Sequence, residues 1–246
     1  MNKAIMCHVV AGYPNPEDCL KLMLGMQRSG VEAIEVQIPF SDPIADGETI
    51  MEANDGAILN GMTTASSFEL IEKARSQGLN IDLYVMSYVQ KVRHFGLEQF
   101  CERAAKSLVK GFIIPDLPYD SDEFHELYQL LEKQKLSLIP VLSPGMLDYR
   151  LQAILAYNPP AVYITSKQGI TGKEYAPAAE LKQFVDKVRK TSKARIMIGF
   201  GIANPRDVDD ALQIGDMAVV GSAVIKKTKA SGVNEAIEYV RSLVSV

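Results

Sequence analysis

The sequence predicts an α/β fold, a single (β/α)8 TIM barrel that spans residues 1–246 as one domain. Eight short apolar runs alternate with amphipathic segments along the whole chain, and most runs end at Gly, Pro, Ser or Asp. Runs that are apolar at nearly every position are typical of parallel strands buried on both faces. Eight such units without a linker indicate one barrel. The rival is a doubly wound open sheet, which is less favoured because no G-x-G-x-x-G motif follows the first run.

The boundaries of the elements follow from the same pattern. The strands are predicted at the apolar runs Ala4–Ala11, Ala33–Ile38, Asp82–Met86, Gly111–Pro115, Ser137–Leu142, Ala161–Ile164, Arg195–Gly199 and Met217–Gly221. Helices are predicted where apolar residues recur at helical spacing, as in Pro16–Ser29, Asp120–Lys133, Asn204–Gln213 and Val233–Leu243. Short extra helices are expected after the second and the eighth strand. In such a barrel the chemistry belongs at the carboxyl ends of the strands.

Composition and charge exclude several classes of function. The net charge is −4 and the pI is about 5.5, so no basic surface favours nucleic acid or an anionic membrane. Cys7, Cys19 and Cys101 form neither a metal-ligand pattern nor a disulfide framework, which fits a reducing compartment. No apolar stretch approaches the roughly 18 to 20 residues of a membrane span. We therefore expect a cytoplasmic protein without a metal site.

A carboxylate lies inside the second predicted strand. Glu35 stands between Ile34 and Val36 in the segment IEVQIPFSDPIADG, and a carboxylate is rarely buried unless it is paired or used. Alternation along the strand directs Glu35 and Gln37 into the barrel, near its top. One interpretation is an ion pair with a Lys or Arg inside the barrel. The other is a general acid/base whose pKa is raised by apolar surroundings, and a second carboxylate in the following loop favours it.

The loop after this strand supplies two more carboxylates, Asp42 and Asp46. Pro39 and Pro43 fix the backbone of the loop, and helical spacing resumes at Ile50. Asp46 therefore precedes a short helix and is either the cap of that helix or a catalytic residue, and the spacing alone does not decide between them. Asp42 is expected to form a turn or to contact a partner.

The last two strands end in glycine-rich segments, IGFGIANP and VVGSAVIK, which indicate a phosphate site. Gly201 and Gly221 let the backbone approach a ligand closely, and Ser222 opens a helix whose N–H groups point outwards. Barrels often hold a phosphate between these two loops. The loop after the sixth strand, SKQGITGKEYAP, is interpreted as a lid in which Thr171 and Gly172 close over the phosphate, with an ordinary surface loop as the alternative.

Two further side chains are expected inside the barrel. Tyr163 alternates with Val162 and Ile164 on the sixth strand, so its hydroxyl should point inwards, and His8 on the first strand could line the same pocket. Two carboxylates with a phosphate site opposite favour a small phosphorylated substrate. Proton transfer between two acids fits an isomerisation or a carbon–carbon cleavage.

The segment IEVQIPFSDPIADG resembles the signature of the tryptophan synthase α subunit family, usually written L-E-(L/V)-G-(I/V)-P-(F/Y)-S-D-P-x-A-D-G. The segments IIPDLP, GITG, IGFGI and VVGSAVIK follow in the order of that family and near its spacing. The resemblance covers essentially the whole chain. It implies a (β/α)8 barrel that cleaves indole-3-glycerol phosphate to indole and glyceraldehyde 3-phosphate.

The resemblance also implies roles for individual residues. Glu35 matches the glutamate that protonates the indole ring at C3, Asp46 matches the aspartate that engages the indole N–H, and Tyr163 matches the tyrosine beside the glutamate. The other matched positions are the lid and phosphate contacts Thr171, Gly172, Gly201, Gly221 and Ser222, and the indole pocket residues His8, Met86 and Ile113.

The family acts together with a β subunit that receives the indole through a tunnel. The resemblance therefore implies an α2β2 complex and no cofactor in this chain, because the pyridoxal phosphate belongs to the β subunit. Pro39, Asp42 and Gln90 fall on loops that face this partner in the family.

Several positions depart from the family pattern. Gln37 stands where Gly is usual, and it could hydrogen-bond Glu35, fill part of the pocket or alter coupling to the partner. His8 replaces a pocket aromatic or similar residue, and Gln90 and Lys91 replace the usual Asn-Pro. Two other functions stay open. One is a non-catalytic activator of the β subunit, and the other is a different phosphate-binding barrel isomerase or synthase.

Overall fold

The strands of the molecule form one parallel sheet that curls into a barrel. The computed structural model describes residues 3–165, 178–199 and 201–245. The strands assigned there are β1 Ile5–Val10, β2 Ala33–Gln37, β3 Asp82–Met86, β4 Gly111–Ile113, β5 Ser137–Leu138, β6 Val141–Leu142, β7 Ala161–Thr165, β8 Arg195–Gly199 and β9 Met217–Val220. They lie in the order β5-β4-β3-β2-β1-β9-β8-β7-β6, and every neighbouring pair is parallel.

The fifth predicted strand is divided into β5 and β6 by Ile139 and Pro140. Pro140 has no N–H, so it cannot donate a hydrogen bond within a ladder. The N–H of Ile139 donates to the carbonyl of Phe112 at 2.8 Å, whereas the carbonyl of Pro140 accepts from the N–H of Tyr163 at 2.9 Å. This stretch of chain therefore joins the two ends of the strand order. The barrel closes with eight strand positions, which confirms the predicted fold.

Helices follow the strands around the outside of the barrel. Their bounds are α1 Pro16–Ser29, α2 Glu48–Leu59, α3 Thr64–Ser76, α4 Val89–Phe95, α5 Leu97–Lys106, α6 Asp122–Gln134, α7 Asp148–Leu155, α8 Ala178–Thr191, α9 Pro205–Ile214, α10 Ser222–Ser231 and α11 Val233–Val244. The helix α1 has the predicted bounds, because the side chain of Asn15 caps its first turn. The helix α6 begins two residues later than predicted, because Ser121 is its cap.

The barrel separates two apolar layers, and β2 contributes to both. Ile34 and Val36 belong to the outer layer between strands and helices, whereas Ala33 belongs to the inner one. Glu35 and Gln37 share the parity of Ala33 and are 4% and 0% exposed. The predicted alternation is therefore confirmed, and polar side chains occupy the interior of the barrel at the carboxyl end of β2.

The structure was also searched for membrane-spanning helices, metal-binding clusters and disulfide bonds. No helix in the described ranges is long and apolar enough to cross a bilayer. Within the same ranges, no group of three or more His, Cys, Asp and Glu side chains could hold a metal ion. The thiols of Cys7, Cys19 and Cys101 are free and buried. Burial raises the pKa of Cys7 to about 12 and that of Cys19 to about 11, so both stay protonated near neutral pH.

Candidate active site

Glu35 is paired with a histidine. The register of β1 and β2 places His8 directly beside Glu35, and His8 Nδ1 lies 2.7 Å from Glu35 Oε2 with both side chains buried. Burial alone lowers the pKa of His8. The charge of Glu35, the hydrogen bond to it and the charge of Asp46 outweigh burial and raise the pKa above its ordinary value. The ion-pair interpretation required a Lys or Arg as the partner of Glu35. That interpretation is wrong, because the partner is His8.

Asp46 is not the cap of the following helix. The cap position of α2 is Gly47, which has no side chain to offer. Asp46 Oδ2 instead accepts hydrogen bonds from Gln37 Nε2 at 2.7 Å and from the Tyr88 hydroxyl at 2.9 Å. Burial raises the pKa of Asp46 above its ordinary value, although His8 and both hydrogen bonds act in the opposite direction. The capping interpretation is therefore wrong, and the side chain is directed at the barrel mouth.

Two buried side chains that sequence reasoning missed hold the loop that carries Asp46. The Tyr88 hydroxyl accepts from the N–H of Ala45 at 3.1 Å, and the Tyr88 ring lies 5.3 Å from the ring of Phe40. Asn54 Oδ1 accepts from the N–H of Phe40 at 2.9 Å. Tyr88 follows the third predicted strand with inward-facing parity, and this alternation is the signal that could have identified it.

Gln37 connects β2 to the same loop. Its Nε2 donates to Asp46 and, at 3.3 Å, to Asn54 Oδ1. The sequence raised a hydrogen bond from Gln37 to Glu35 as one alternative. The structure shows that Gln37 donates to Asp46 instead.

Tyr163 lies on the opposite wall of the barrel. Its side chain packs against the inner apolar layer, and a Cβ at Gly199 would lie 2.3 Å from its hydroxyl oxygen. The absence of a side chain at Gly199 therefore makes room for the ring. Burial, together with the charges of Glu35 and Asp46, holds the pKa of Tyr163 well above its ordinary value, so the hydroxyl stays protonated. The predicted inward direction of Tyr163 is confirmed.

A cavity of about 120 Å³ at the mouth of the barrel brings most of the predicted site together. Its lining contains the three predicted catalytic side chains and the three predicted pocket side chains: Glu35, Asp46, Tyr163, His8, Met86 and Ile113. Carboxylates and apolar side chains thus line a single space, which suits acid/base chemistry on a partly apolar ligand.

A second cavity, of about 400 Å³, adjoins the first and shares Asp46 and Tyr163 with it. Its far wall contains Gly201, Gly221 and Ser222, the described members of the predicted phosphate site. Gly221 is the cap position of α10 and provides no side-chain hydrogen bond, which leaves the N–H groups of Ser222 and Ala223 available to an anion, whereas the N–H of Val224 donates to the carbonyl of Gly221.

One cation at this wall was not identified from the sequence. Lys226 lines the cavity of about 400 Å³ and stands four residues after Ser222 on α10. Residues four apart on a helix lie on the same face, and this spacing is the signal that could have identified Lys226.

The remaining predicted residues lie elsewhere. Pro39 and Gln90 line a surface groove of about 620 Å³, and Asp42 is exposed on the loop after β2. The predicted lid residues Thr171 and Gly172 lie outside the described residues.

The fold and the site define a class of protein: a (β/α)8-barrel enzyme with two carboxylates facing a glycine-lined wall at a helix N-terminus. A sequence model of the family described as Tryptophan synthase alpha chain matches residues 1–245. The chain is 36% identical over 242 residues to the tryptophan synthase alpha chain of Lachnospira eligens, which covers 97% of this chain and 90% of that one. The chain belongs to the tryptophan synthase alpha chain family.

Two other comparisons define the extent of this similarity. A tryptophan synthase of Saccharomyces cerevisiae is 34% identical over 223 residues, but this chain, 90% of which is covered, spans only 31% of the yeast protein. A chain from the tryptophan synthase complex of Pyrococcus furiosus superimposes with a TM-score of 0.85 at 25% identity, and 99% of both chains is covered.

Proposed function

We propose that Glu35 and Asp46 are the acid/base pair for the carbon–carbon lyase reaction of this family, the retro-aldol cleavage of indole-3-glycerol phosphate to indole and glyceraldehyde 3-phosphate. One observation carries the proposal. Both carboxylates line the cavity of about 120 Å³, which shares part of its lining with the glycine-lined cavity of about 400 Å³. A substrate with an apolar ring at one end and a phosphate at the other fits this arrangement.

The two carboxylates have different tasks. Glu35 protonates C3 of the indole ring, and the bond between C3 and the side chain then breaks as the adjacent hydroxyl loses its proton and becomes an aldehyde. Asp46 accepts the indole N–H and stabilises the positive charge that arises on the ring. Tyr163, protonated and beside both acids, donates its hydroxyl hydrogen into the same space.

The substrate is positioned by the rest of the lining. His8, Met86 and Ile113 surround the indole ring. The phosphate is bound by Gly201, Gly221 and Ser222, with Lys226 as a counter-charge, because a helix N-terminus and a nearby cation both attract an anion. By the resemblance, Thr171 and Gly172 close over the phosphate.

The indole passes to a β subunit, which uses it to make L-tryptophan in an α2β2 complex. The face for this partner contains Pro39, Asp42 and Gln90. Exposed apolar side chains support this placement, since Ile44, on the same loop as Asp42, is 61% exposed, and Ile58, which lines the groove with Pro39 and Gln90, is 38% exposed.

The chain uses no cofactor of its own, because side chains can supply each proton transfer, and the pyridoxal phosphate belongs to the β subunit. The cytoplasm is the proposed compartment, since the three thiols are free. A non-catalytic activator and another barrel isomerase or synthase are not favoured, because the family matches along the chain and the acid pair is intact.

The test is indole release from indole-3-glycerol phosphate, measured with and without a β subunit. Glu35→Gln should lower kcat by about 10² to 10⁴-fold, because the amide keeps the shape of the side chain but cannot transfer a proton. The matched control is Glu69→Gln, an exposed position on α3. Indole release near the wild-type rate in Glu35→Gln would contradict the assignment, provided that Glu69→Gln is also active.

A further inference from the structure

Each carboxylate of the site contacts its own buried polar side chain. Glu35 Oε2 meets His8 Nδ1 at 2.7 Å, and Asp46 Oδ2 meets Gln37 Nε2 at 2.7 Å. His8 and Gln37 lie on the neighbouring strands β1 and β2. They are 4% and 0% exposed, so the two partner side chains themselves are buried.

Two atoms of these partners are left over, and they are complementary. His8 Nε2 and Gln37 Oε1 are both buried, and neither has a hydrogen-bond partner among the described residues. The amide of Gln37 cannot be turned around without loss, since its Nε2 faces the oxygens of Asp46 and Asn54. Its Oε1 is therefore an acceptor that can receive a proton-bearing Nε2, and the side chain of Gln37 does favour the charged form of His8.

We propose that His8 is a positioning residue that stores the proton of Glu35, as an imidazolium with Nδ1–H on Glu35 and Nε2–H directed at Gln37. This proposal rests on the proposed role of Glu35 as the acid. The proton on Nδ1 moves to Glu35, which donates it to C3 of the ring. Glu35 then takes the proton of the hydroxyl as the carbon–carbon bond breaks. The pair ends with the proton with which it began, so no external acid is consumed.

The charges around the imidazole favour this form. Glu35 on β2 and Asp46 on the following loop are the two carboxylates that act on it. Tyr163 of β7 shares their cavity as a neutral hydroxyl. Gly221, at the junction of β9 and α10, lies beside the imidazole without a charge. On α10, Lys226 is exposed and lines the adjoining cavity.

The first test needs no activity. The ring nitrogens of His8 are followed by NMR during a pH titration, with the exposed His94 and His125 as internal references. In the wild-type protein His8 should keep both ring protons at pH values above about 6.5, the ordinary histidine pKa. In Glu35→Gln the pKa of His8 should fall. A neutral His8 at about pH 6 in the wild type, or an equal titration in Glu35→Gln, would overturn the proposal.

The second test uses the pH dependence of indole release. His8→Asn can still place an N–H near Glu35 but cannot hold a proton, whereas His8→Phe can do neither. In His8→Asn the alkaline limb of the kcat–pH profile should move to lower pH by at least about one unit. At pH values above the limb, kcat should therefore fall about tenfold. His8→Phe should lose more, because Glu35 is then also unrestrained. His125→Asn is the exposed control.

The possible results separate the two proposals. A loss of kcat at every pH, without a shift of the alkaline limb, means that His8 is only structural, and the proposal is wrong. Wild-type protein that releases no indole contradicts the proposed function, whereas the NMR titration still decides the state of His8. If a His8 variant fails to fold, the titration of Glu35→Gln gives the decision.

Discussion

Removal of the Tyr88 hydroxyl should slow the reaction and leave the barrel folded. This hydroxyl donates to Asp46 Oδ2 at 2.9 Å and accepts from the N–H of Ala45 at 3.1 Å. In Tyr88→Phe the ring stays in place against Phe40, and Ala45 is exposed, so water can replace the lost acceptor. The change therefore acts mainly on Asp46.

The size of the effect follows from the kind of hydrogen bond that is lost. A hydrogen bond to an ionised acceptor contributes roughly 1.5–3 kcal/mol, and about 1.4 kcal/mol corresponds to a factor of ten in rate. If the bond acts fully in the transition state, kcat should fall by about 10- to 150-fold.

The same change should shift the pH profile. Burial raises the pKa of Asp46, and the hydrogen bond from Tyr88 is one of the contacts that hold it down. Without that contact the pKa rises further. Asp46 must be ionised to stabilise a cationic ring. The acid limb of the kcat–pH profile should therefore lie at higher pH in Tyr88→Phe than in the wild type.

The assay is indole release across the acid range, with Tyr157→Phe as the matched control. The Tyr157 hydroxyl shares a hydrogen bond with the exposed His125, and its ring packs against α6. If Tyr88→Phe keeps kcat within about twofold of the wild type and the acid limb does not move, then Tyr88 does not hold Asp46 during the reaction.

Two further predictions concern the opposite wall and the far end of the barrel. Gly199→Ala should lower kcat and Tm together, since the added methyl would lie 2.3 Å from the Tyr163 hydroxyl; an unchanged Tm and kcat would contradict that ring position. Asp216 is the second case. Burial alone would raise its pKa, but the Arg189 ion pair and the N–H of Ile196 hold the pKa below its ordinary value. This stabilisation is present above the unfolded pKa and is lost as the pH falls through the folded one. Asp216→Asn should therefore unfold at lower urea concentration than the wild type near neutral pH, and the difference should shrink in acid; a constant difference would refute it.

Strand parity was the part of the site that the sequence could predict. The inward direction of Glu35 and Tyr163 follows from alternation, which is a local property of an extended backbone. The partners of these side chains depend on the register between strands, which a single sequence does not display. His8 meets Glu35 only because β1 and β2 pair at these two residues, and Gly199 lies under Tyr163 only because β7 and β8 are neighbours.

Other differences also come from tertiary contacts. Asp46 looked like a helix cap, because Asp is favoured at such positions. The loop instead brings it within reach of Gln37 and Tyr88, which come from two different strands or their ends. The division of the fifth strand at Pro140 follows from the missing N–H of proline, and the sequence displayed that cause directly. The assignment of residues 1–246 to one domain stays a prediction.

The two carboxylates are supported by different chemistry, and this difference matches the two tasks proposed for them. Glu35 lies on a strand beside an imidazole, a group that can give and take a proton near neutral pH. Asp46 lies on a loop and receives hydrogen bonds from an amide and a phenol. Neither donor releases a proton in that range, since the pKa of Tyr88 is raised far above its ordinary value by burial and by Asp46. A proton therefore moves more easily through Glu35, whereas the donors around Asp46 favour its negative charge. One acid is thus suited to protonate C3 and the other to stabilise the ring that becomes positive.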